Sequence, residues 1–521
     1  MTRMAITVEV TDNKGQPVTG IEALQITYPV ADVSELGSPE TIGNLEAETV
    51  AIGFDLLRRL FGWRVESWDA HVAAHRRHQH QACQVSFDGK KELTIASLVG
   101  RVKIRRQVCE CHSCDYEFIP LNQFLPDHDR GILITWGLEE LASLLAIHMP
   151  YEPAQEVVGR ATHDPKALSA CQVEEIILAH GQAIRRAESL QAQTLLATEG
   201  PPTGKPALVP TTPPRRETAW AEEVIESVQA ALEAEAWDEP PEGVSAADWE
   251  RLAHQVHSRQ AAIGEMERLA RLGPRLRPHE VLVALDGILV SGRQAGSRIE
   301  LRVARLATIE GHRYITGVGE AFLTRVVAGI RALAGKERFL VVVADGARWI
   351  RDFFTNHLAA FPNKELVLDW YHLTKKCKEL LSMITRGRAH RREVLRQLMP
   401  LLWEGQVEQA LAVLEALRNQ ARNLTKLDEL IAYLDKHQTE IPNYRQRRAN
   451  CQYNGSTSAE KACDLLVARR QKRKAMHWVE KGADALCALQ TLWYNRAWDL
   501  YWKPQQVLPL TFATQPATYA C

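Results

Sequence analysis

Two short apolar runs, VLVAL at 281–285 and FLVVVA at 339–344, do most to limit what this chain can fold into. Each is shorter than a typical buried helix, is rich in valine and stops at an Asp-Gly pair, so each reads as a strand buried on both faces. A third run, ELVL at 365–368, stops at Asp369, and 299–309 alternates with many β-branched residues. Helical periodicity occupies 321–334 and 349–360. Strands interleaved with helices in this way imply an α/β core with a mixed sheet.

That core is only part of the chain. At 521 residues the sequence exceeds one ordinary hydrophobic core, so several domains are expected. Composition and periodicity place an N-terminal region at 1–70 and a Cys/His-rich, zinc-ribbon-like region at 71–125. Helices follow over 126–195, where a polar turn at 163–166 fits a helix-turn-helix. The segment GPPTGKPALVPTTPPRR at 200–216 marks a linker within a connector, partly helical and acidic, at 196–275. The α/β core is expected over 276–372 plus 452–505, interrupted by a helical insertion at 373–451, with a tail at 506–521. No apolar run approaches the roughly 20 residues a spanning helix needs, so no membrane partner is expected. The opening MTRMAITVEVTDNKG lacks a secretory apolar core, which points to a cytoplasmic protein.

The Asp-Gly pairs carry the most chemical information. Carboxylates at strand ends, Asp286 and Asp345, are held by a rigid sheet yet open to a crevice. Hard divalent cations favour such oxygen ligands. The alternative is ordinary turn chemistry, for which Asp-Gly is equally suited. A third acid, Glu460, lies in NGSTSAEKACDLLVARRQKRKAMHW. Thr457-x-x-Glu460 also matches a helix capping box, and periodicity does not choose between cap and ligand. Downstream, Arg469, Arg470, Lys472, Arg473 and Lys474 form a basic run suited to phosphate contacts, or simply a solvated helix face.

With these residues in view, the chain resembles the Kra-type transposases of bacterial insertion sequences, members of the DDE superfamily. GSTSAEKACDLLVARRQKRKAMHWVEKGADALCALQTLW is similar to that family's closing motif, LDGILV and VVVADGARWIRDFF to its two Asp motifs, and LDWYHLTKK to its Asp–aromatic–His motif. The resemblance covers 276–505 closely and 95–190 more loosely. It implies a ribonuclease-H-like catalytic core whose last carboxylate is delayed by the helical insertion. It also implies Asp286, Asp345 and Glu460 as catalytic ligands of two Mg²⁺ (or Mn²⁺) ions, with Asp369 and His372 in support. Three departures from the family pattern are Lys461, where a small residue is usual, Ala475, where glycine usually precedes the methionine, and the His80/Cys83 pair, where the family usually has a second C-x₂-C.

The same resemblance gives the remaining segments their expected roles. Cys111 and Cys114 form a C-x₂-C pair, and His80 and Cys83 an upstream H-x₂-C pair, together able to hold a structural Zn²⁺. Neighbouring His75, His78 and Cys109 leave the ligand choice open, and a knot without zinc is the alternative. Arg101, Lys103, Arg105 and Arg106 supply a basic strand, with Arg105 and Arg106 expected to bind DNA. The helix-turn-helix at about 150–181 would read a major groove. A net charge of −1 fits this reading because acids concentrate at 217–272 and offset basic stretches. One of these is the insertion, with Lys375, Lys376, Lys378, Arg386, Arg388, Arg391 and Arg392, which would also grip DNA. The expected fold class is therefore multidomain α/β: a ribonuclease-H-like mixed sheet with a helical insertion, preceded by a small zinc-knot-like region and a helix-turn-helix DNA-binding domain. The expected activity is transposition by a homodimer or larger oligomer that binds double-stranded DNA at terminal inverted repeats and target. A metal-dependent nuclease without strand transfer, or a retired transposase that only binds DNA, are the alternatives.

Overall fold

In a computed structural model of the chain, both apolar runs are neighbouring strands of one sheet. The structure describes residues 2–9, 11, 13–16, 23–30, 41–75, 85–112, 116–125, 132–198, 208–209, 274, 276–334, 338–450, 452–473 and 475–502. The fold is mixed α/β, and the chain divides into two units, Met1–His180 and Gly181–Cys521. No helix among the described residues is long and apolar enough to cross a membrane.

In the first unit, β1 (Thr2–Val8) pairs antiparallel with β2 (Leu24–Val30), and α1 (Thr41–His75) follows. The long strands β3 (Val85–Ser97) and β4 (Gly100–Cys111) form an antiparallel hairpin turning just before Gly100. With β5 (Tyr116–Phe118) and β6 (Ile132–Ile134) they complete a sheet ordered β5-β4-β3-β6. Leu93, Ile95, Val102 and Ile104 fill its core with Leu121 and Leu133. Three helices follow, α2 (Trp136–Ala146), α3 (Tyr151–Ala161) and α4 (Ala170–Ala197), the last running from the first unit into the second at Gly181. α4 starts with a reciprocal cap: the Ser169 hydroxyl accepts from the Gln172 amide at 3.2 Å, and Gln172 Oε1 accepts from the Ser169 amide at 2.9 Å.

The second unit is built on a five-stranded sheet ordered β11-β10-β7-β8-β9. Its strands are β7 (Glu280–Ser291), β8 (Arg298–Thr308), β9 (Gly311–Gly317), β10 (Phe339–Ala344) and β11 (Lys364–Leu368). β7, β8 and β9 run antiparallel to their neighbours, whereas β10 and β11 join parallel on the other side of β7. The parallel additions need crossovers, supplied by α5 (Gly319–Ala334) and by α6 (Arg348–Asp352), which continues into a wide turn at Phe353–His357. Period-two alternation explains why the strands are apolar throughout: Val281, Val283 and Leu285 face α5, while Leu282 and Ala284 face the insertion.

The insertion comprises α7 (Trp370–Ile384), α8 (Arg388–Trp403), α9 (Val407–Ala416), α10 (Leu424–Lys436) and α11 (Tyr444–Ala449). It shares one continuous apolar core with the sheet, running from Leu282 and Val341 through Leu380, Leu398 and Leu430 to Tyr444. It is thus a helical layer of the unit, on the sheet face opposite α5. The chain then returns through α12 (Thr457–Cys463), α13 (Arg469–Gln471), α14 (Glu480–Tyr494) and α15 (Trp498–Trp502). Most of the expected connector lies outside the described residues, as does the tail.

Candidate active site

The sheet makes the site by letting its strands end unequally. β10 pairs with β7 only as far as Val343 and Ala284, while β7 continues beside β8 to Ser291. Asp286 therefore lies within a long strand, not at its end as the sequence predicts. It stands two residues past the point where β7 loses its parallel neighbour. Alternation puts its side chain on the face shared by Leu282 and Ala284. Asp345 follows immediately after β10. Its Oδ1 accepts from the Ala347 amide at 2.8 Å, which fixes the turn. Gly346 holds φ at +88°, and a Cβ there would approach a Leu368 methyl to 2.9 Å, so only glycine fits without strain.

Glu460 comes from α12, which packs across β7 and β8. Cys463, one turn further on the same helix face, lies against the Asp286 carboxylate. Burial raises the Asp286 carboxyl above its ordinary value, and the negative charges of Asp345 and Glu460 raise it further against the Gly287 amide that lowers it. Burial and the Asp286 carboxylate likewise push the Cys463 thiol upward. Three acids from three separate elements thus share one half-buried field.

The capping alternative for Glu460 is resolved by its surroundings. Ser456, not Thr457, occupies the N-cap of α12, and it makes no side-chain cap. Its hydroxyl donates to Asp369 Oδ2 at 2.6 Å, and its amide donates to the same oxygen. The Glu460 carboxylate instead stands 3.6 Å from His372 Nε2.

Asp369 and His372 play different parts. Asp369 is 2% exposed and caps α7, accepting from the His372 amide at 3.1 Å. Burial would raise its carboxyl, but His372 and the two Ser456 donors outweigh that and hold it down at about 2. With its oxygens so committed, Asp369 is a clamp between α7 and α12. His372 Nδ1 stands 3.5 Å from Asp369 Oδ1, an ionic contact too long for a strong hydrogen bond. Proximity to Asp369 raises the imidazole against burial, with Asp345 and Glu460 adding to the effect.

Residues that sequence reasoning missed brace these groups. The Tyr444 hydroxyl donates to the Leu368 carbonyl at 2.8 Å, and Trp370, Trp403 and Tyr444 pack as one aromatic group. Arg447 pairs with Glu365 at 2.7 Å. Buried His437 contacts Glu440 at 2.6 Å, and Arg351 pairs with Glu440 at 2.5 Å. Tyr444 thereby ties the insertion to the end of β11 beside Asp369, Arg447 ties it to the start of that strand, and Arg351 joins α6, which follows Asp345, to Glu440 of the insertion. The one available signal was the aromatic and charged content of 440–447, and nothing in its spacing names a partner.

The expected DNA-binding residues fare unequally. Arg470 is 2% exposed and packs over the Trp478 ring at 5.3 Å, so it is a core residue and not a phosphate contact. Arg469 pairs with Asp464 at 2.8 Å, Lys472 and Arg473 are exposed, and Lys474 lies outside the described residues. In β4, alternation turns Arg101, Lys103 and Arg105 outward but puts Arg106 on the buried face with Val102 and Ile104, beside Asn122. Arg101 is neutralised by Asp164 at 2.9 Å and Lys103 by Glu92 at 2.8 Å. Of the proposed zinc ligands, His80, Cys83 and Cys114 lie outside the described residues, and Cys111 is buried at the end of β4.

The carboxylate set suits a hard divalent cation chemically, because an ion would offset the burial, and the added repulsion from Asp345 and Glu460, that raise Asp286. Among the described residues, however, no three His, Cys, Asp or Glu side chains are already placed to chelate one ion. Neither the family models nor the curated proteins compared with this chain match it.

Proposed function

We propose that the chain is a DDE-type DNA transposase with a ribonuclease-H-like core, cutting and joining DNA with divalent metal ions. The observation that carries this reading is the convergence of Asp286, Asp345 and Glu460, from a strand, a strand end and a helix after a long insertion. Two acids on neighbouring strands would suit many sites. The third, delayed past a helical layer and freed from capping, fits the resemblance drawn from the sequence.

Asp286, Asp345 and Glu460 would hold two Mg²⁺ or Mn²⁺ ions, which supply stabilisation of the attacking and leaving oxygens in an in-line displacement at phosphorus. Glu460 leans on His372, so it must turn toward Asp286 to complete the ligand set; His372 is thereby a positioning residue. In the first displacement, water attacks a phosphodiester at the element's end and the freed 3′-hydroxyl leaves. In the second, that hydroxyl attacks a target phosphodiester, forming one P–O bond as another breaks. Both steps need the same charge arrangement, so one site serves both. Bringing two element ends together calls for a homodimer or larger assembly.

The test uses the full chain, Mg²⁺ and a supercoiled plasmid carrying the element's inverted repeats. Joined products are expected. Cleavage without joining would assign a nuclease instead. Asp345→Ala should abolish cleavage while end binding persists, and cleavage that survives it would remove Asp345 from the site.

A further inference from the structure

We propose that the exposed face of α7, continued by the arginine-rich turn at its far end, is a track for the phosphate backbone of duplex DNA leading away from the carboxylate cluster. This rests on the function proposed above and adds a surface to it.

The helix begins at the site, since Asp369 caps it and His372 lies in its first turn. Tyr371, Lys375, Lys378 and Ser382 recur at intervals of three and four, so they share one face, and all four are exposed. The face ends at the turn into α8, where Arg386, Arg388 and Arg392 are exposed and Arg391 is half-buried. Arg422 joins them from the loop before α10, because its amide donates to the Ile384 carbonyl at 2.7 Å.

What separates these cations from ordinary surface charge is their lack of counter-ions. Elsewhere in the insertion the pairs are made: Lys376 and Lys426 with Glu429, Arg396 with Glu393, Arg418 with Glu415 and Asp428, Arg445 with Glu404. Among the described residues, Lys375, Lys378, Arg386, Arg388, Arg391 and Arg392 have no ion-pair partner. Glu379 is the one acid between Trp370 and Arg392. Arg388 and Arg391 also occupy the first turn of α8, which has no acid there and no side-chain cap. Positive charge at that end opposes the helix dipole, so the arrangement does not serve helix stability. An external polyanion satisfies it.

The dimensions suit a duplex. A helix of 15 residues rises about 22 Å at about 1.5 Å per residue, close to six or seven base pairs at about 3.4 Å each. The backbone of one strand can thus follow the face from the reacting phosphate to the arginine turn.

The experiment is equilibrium binding of a generic duplex of about three helical turns by the full chain, in chelator, across a salt series. Replacing Arg386, Arg388, Arg391 and Arg392 together by Gln should reduce the slope of log affinity against log salt by about 3.6, since each lost phosphate contact removes about 0.9. Replacing the paired Arg396, Arg418, Lys426 and Arg445 by Gln removes the same charge and should leave the slope nearly unchanged. Equal losses in both variants would overturn the track, as would a wild-type slope in the first. If the arginine variant fails to fold, Lys375→Gln with Lys378→Gln tests the near half, with an expected loss of about 2. A slope loss seen with duplex RNA and not with DNA also overturns it. Wild-type protein that binds no DNA at all would sink the proposed function, whereas binding with an indifferent arginine turn sinks the track alone.

Discussion

Replacing Ser456 by Ala probes how the site is held together. The substitution removes one short hydrogen bond, from the hydroxyl to the buried Asp369 carboxylate at 2.6 Å, and leaves the amide donor of the same residue in place. A bond to a charged buried acceptor contributes about 1.5–3 kcal/mol. A second figure comes from the carboxyl itself: its fall from 3.8 to about 2 corresponds to about 2.5 kcal/mol net, its partners' contribution less the opposing effect of burial. The hydroxyl supplies part of that, so a loss of about 1.5 kcal/mol at neutral pH is expected. The sign of the pH dependence follows from the lowered carboxyl. Its stabilisation is present above 3.8 and is lost as pH falls through about 2. The gap between wild type and Ser456→Ala should therefore be constant near neutrality and narrow as the solution is acidified through that window. Chemical unfolding of the full chain, followed by tryptophan fluorescence across pH, measures it. A variant as stable as wild type at neutral pH, or a gap that does not narrow on acidification, would refute the clamp.

Further expectations address other parts of the site. Burial and two neighbouring acids raise the Asp286 carboxyl, so its ionised form costs stability once pH rises through the raised value. Asp286→Asn should then melt higher than wild type at neutral pH without metal, and should lose the thermal stabilisation that Mg²⁺ or Mn²⁺ gives the wild type; the same melting point for both proteins without metal would contradict the electrostatics. Tyr444→Phe, which deletes the donor to the Leu368 carbonyl, should cost about 1 kcal/mol in unfolding experiments and slow DNA cleavage. Ala475 sits at φ 61°, where alanine is strained, so Ala475→Gly should raise stability by up to about 1 kcal/mol. A destabilised Ala475→Gly would show that the backbone there is not under strain.

Much of the second unit could be read from sequence because burial on both faces writes itself as uninterrupted apolar residues. The run at 339–344 is the strand Phe339–Ala344, and 365–368 differs from Lys364–Leu368 by one residue. β9, GHRYITG, was missed because His312, Arg313 and Tyr314 break the apolar pattern, although Arg313 is buried. The extent of β7 past Asp286 was also hidden: Gly287 looks like a turn, yet pairing with Arg302 of β8 carries the strand through it. Arg470 and Arg106 show the limit of counting charges. A basic run does not say which face each residue takes, and alternation or helix phase buried one in each segment. The departure at Ala475 was visible as a missing glycine, but only the backbone shows why glycine suits that position.

The insertion bears on when, as well as where, the site exists. Asp369 and Ser456 are 87 positions apart, and their bond closes a long loop whose entropic cost must be met by the insertion's own packing. During synthesis Asp286 and Asp345 emerge first, and Glu460 follows only after the five helices of the insertion. Until those helices pack and Asp369 captures Ser456, a nascent chain carries two acids and no complete centre. Under the proposed function, completion of folding is the step that arms the protein, and nothing shorter than the sheet with its packed insertion should cut DNA.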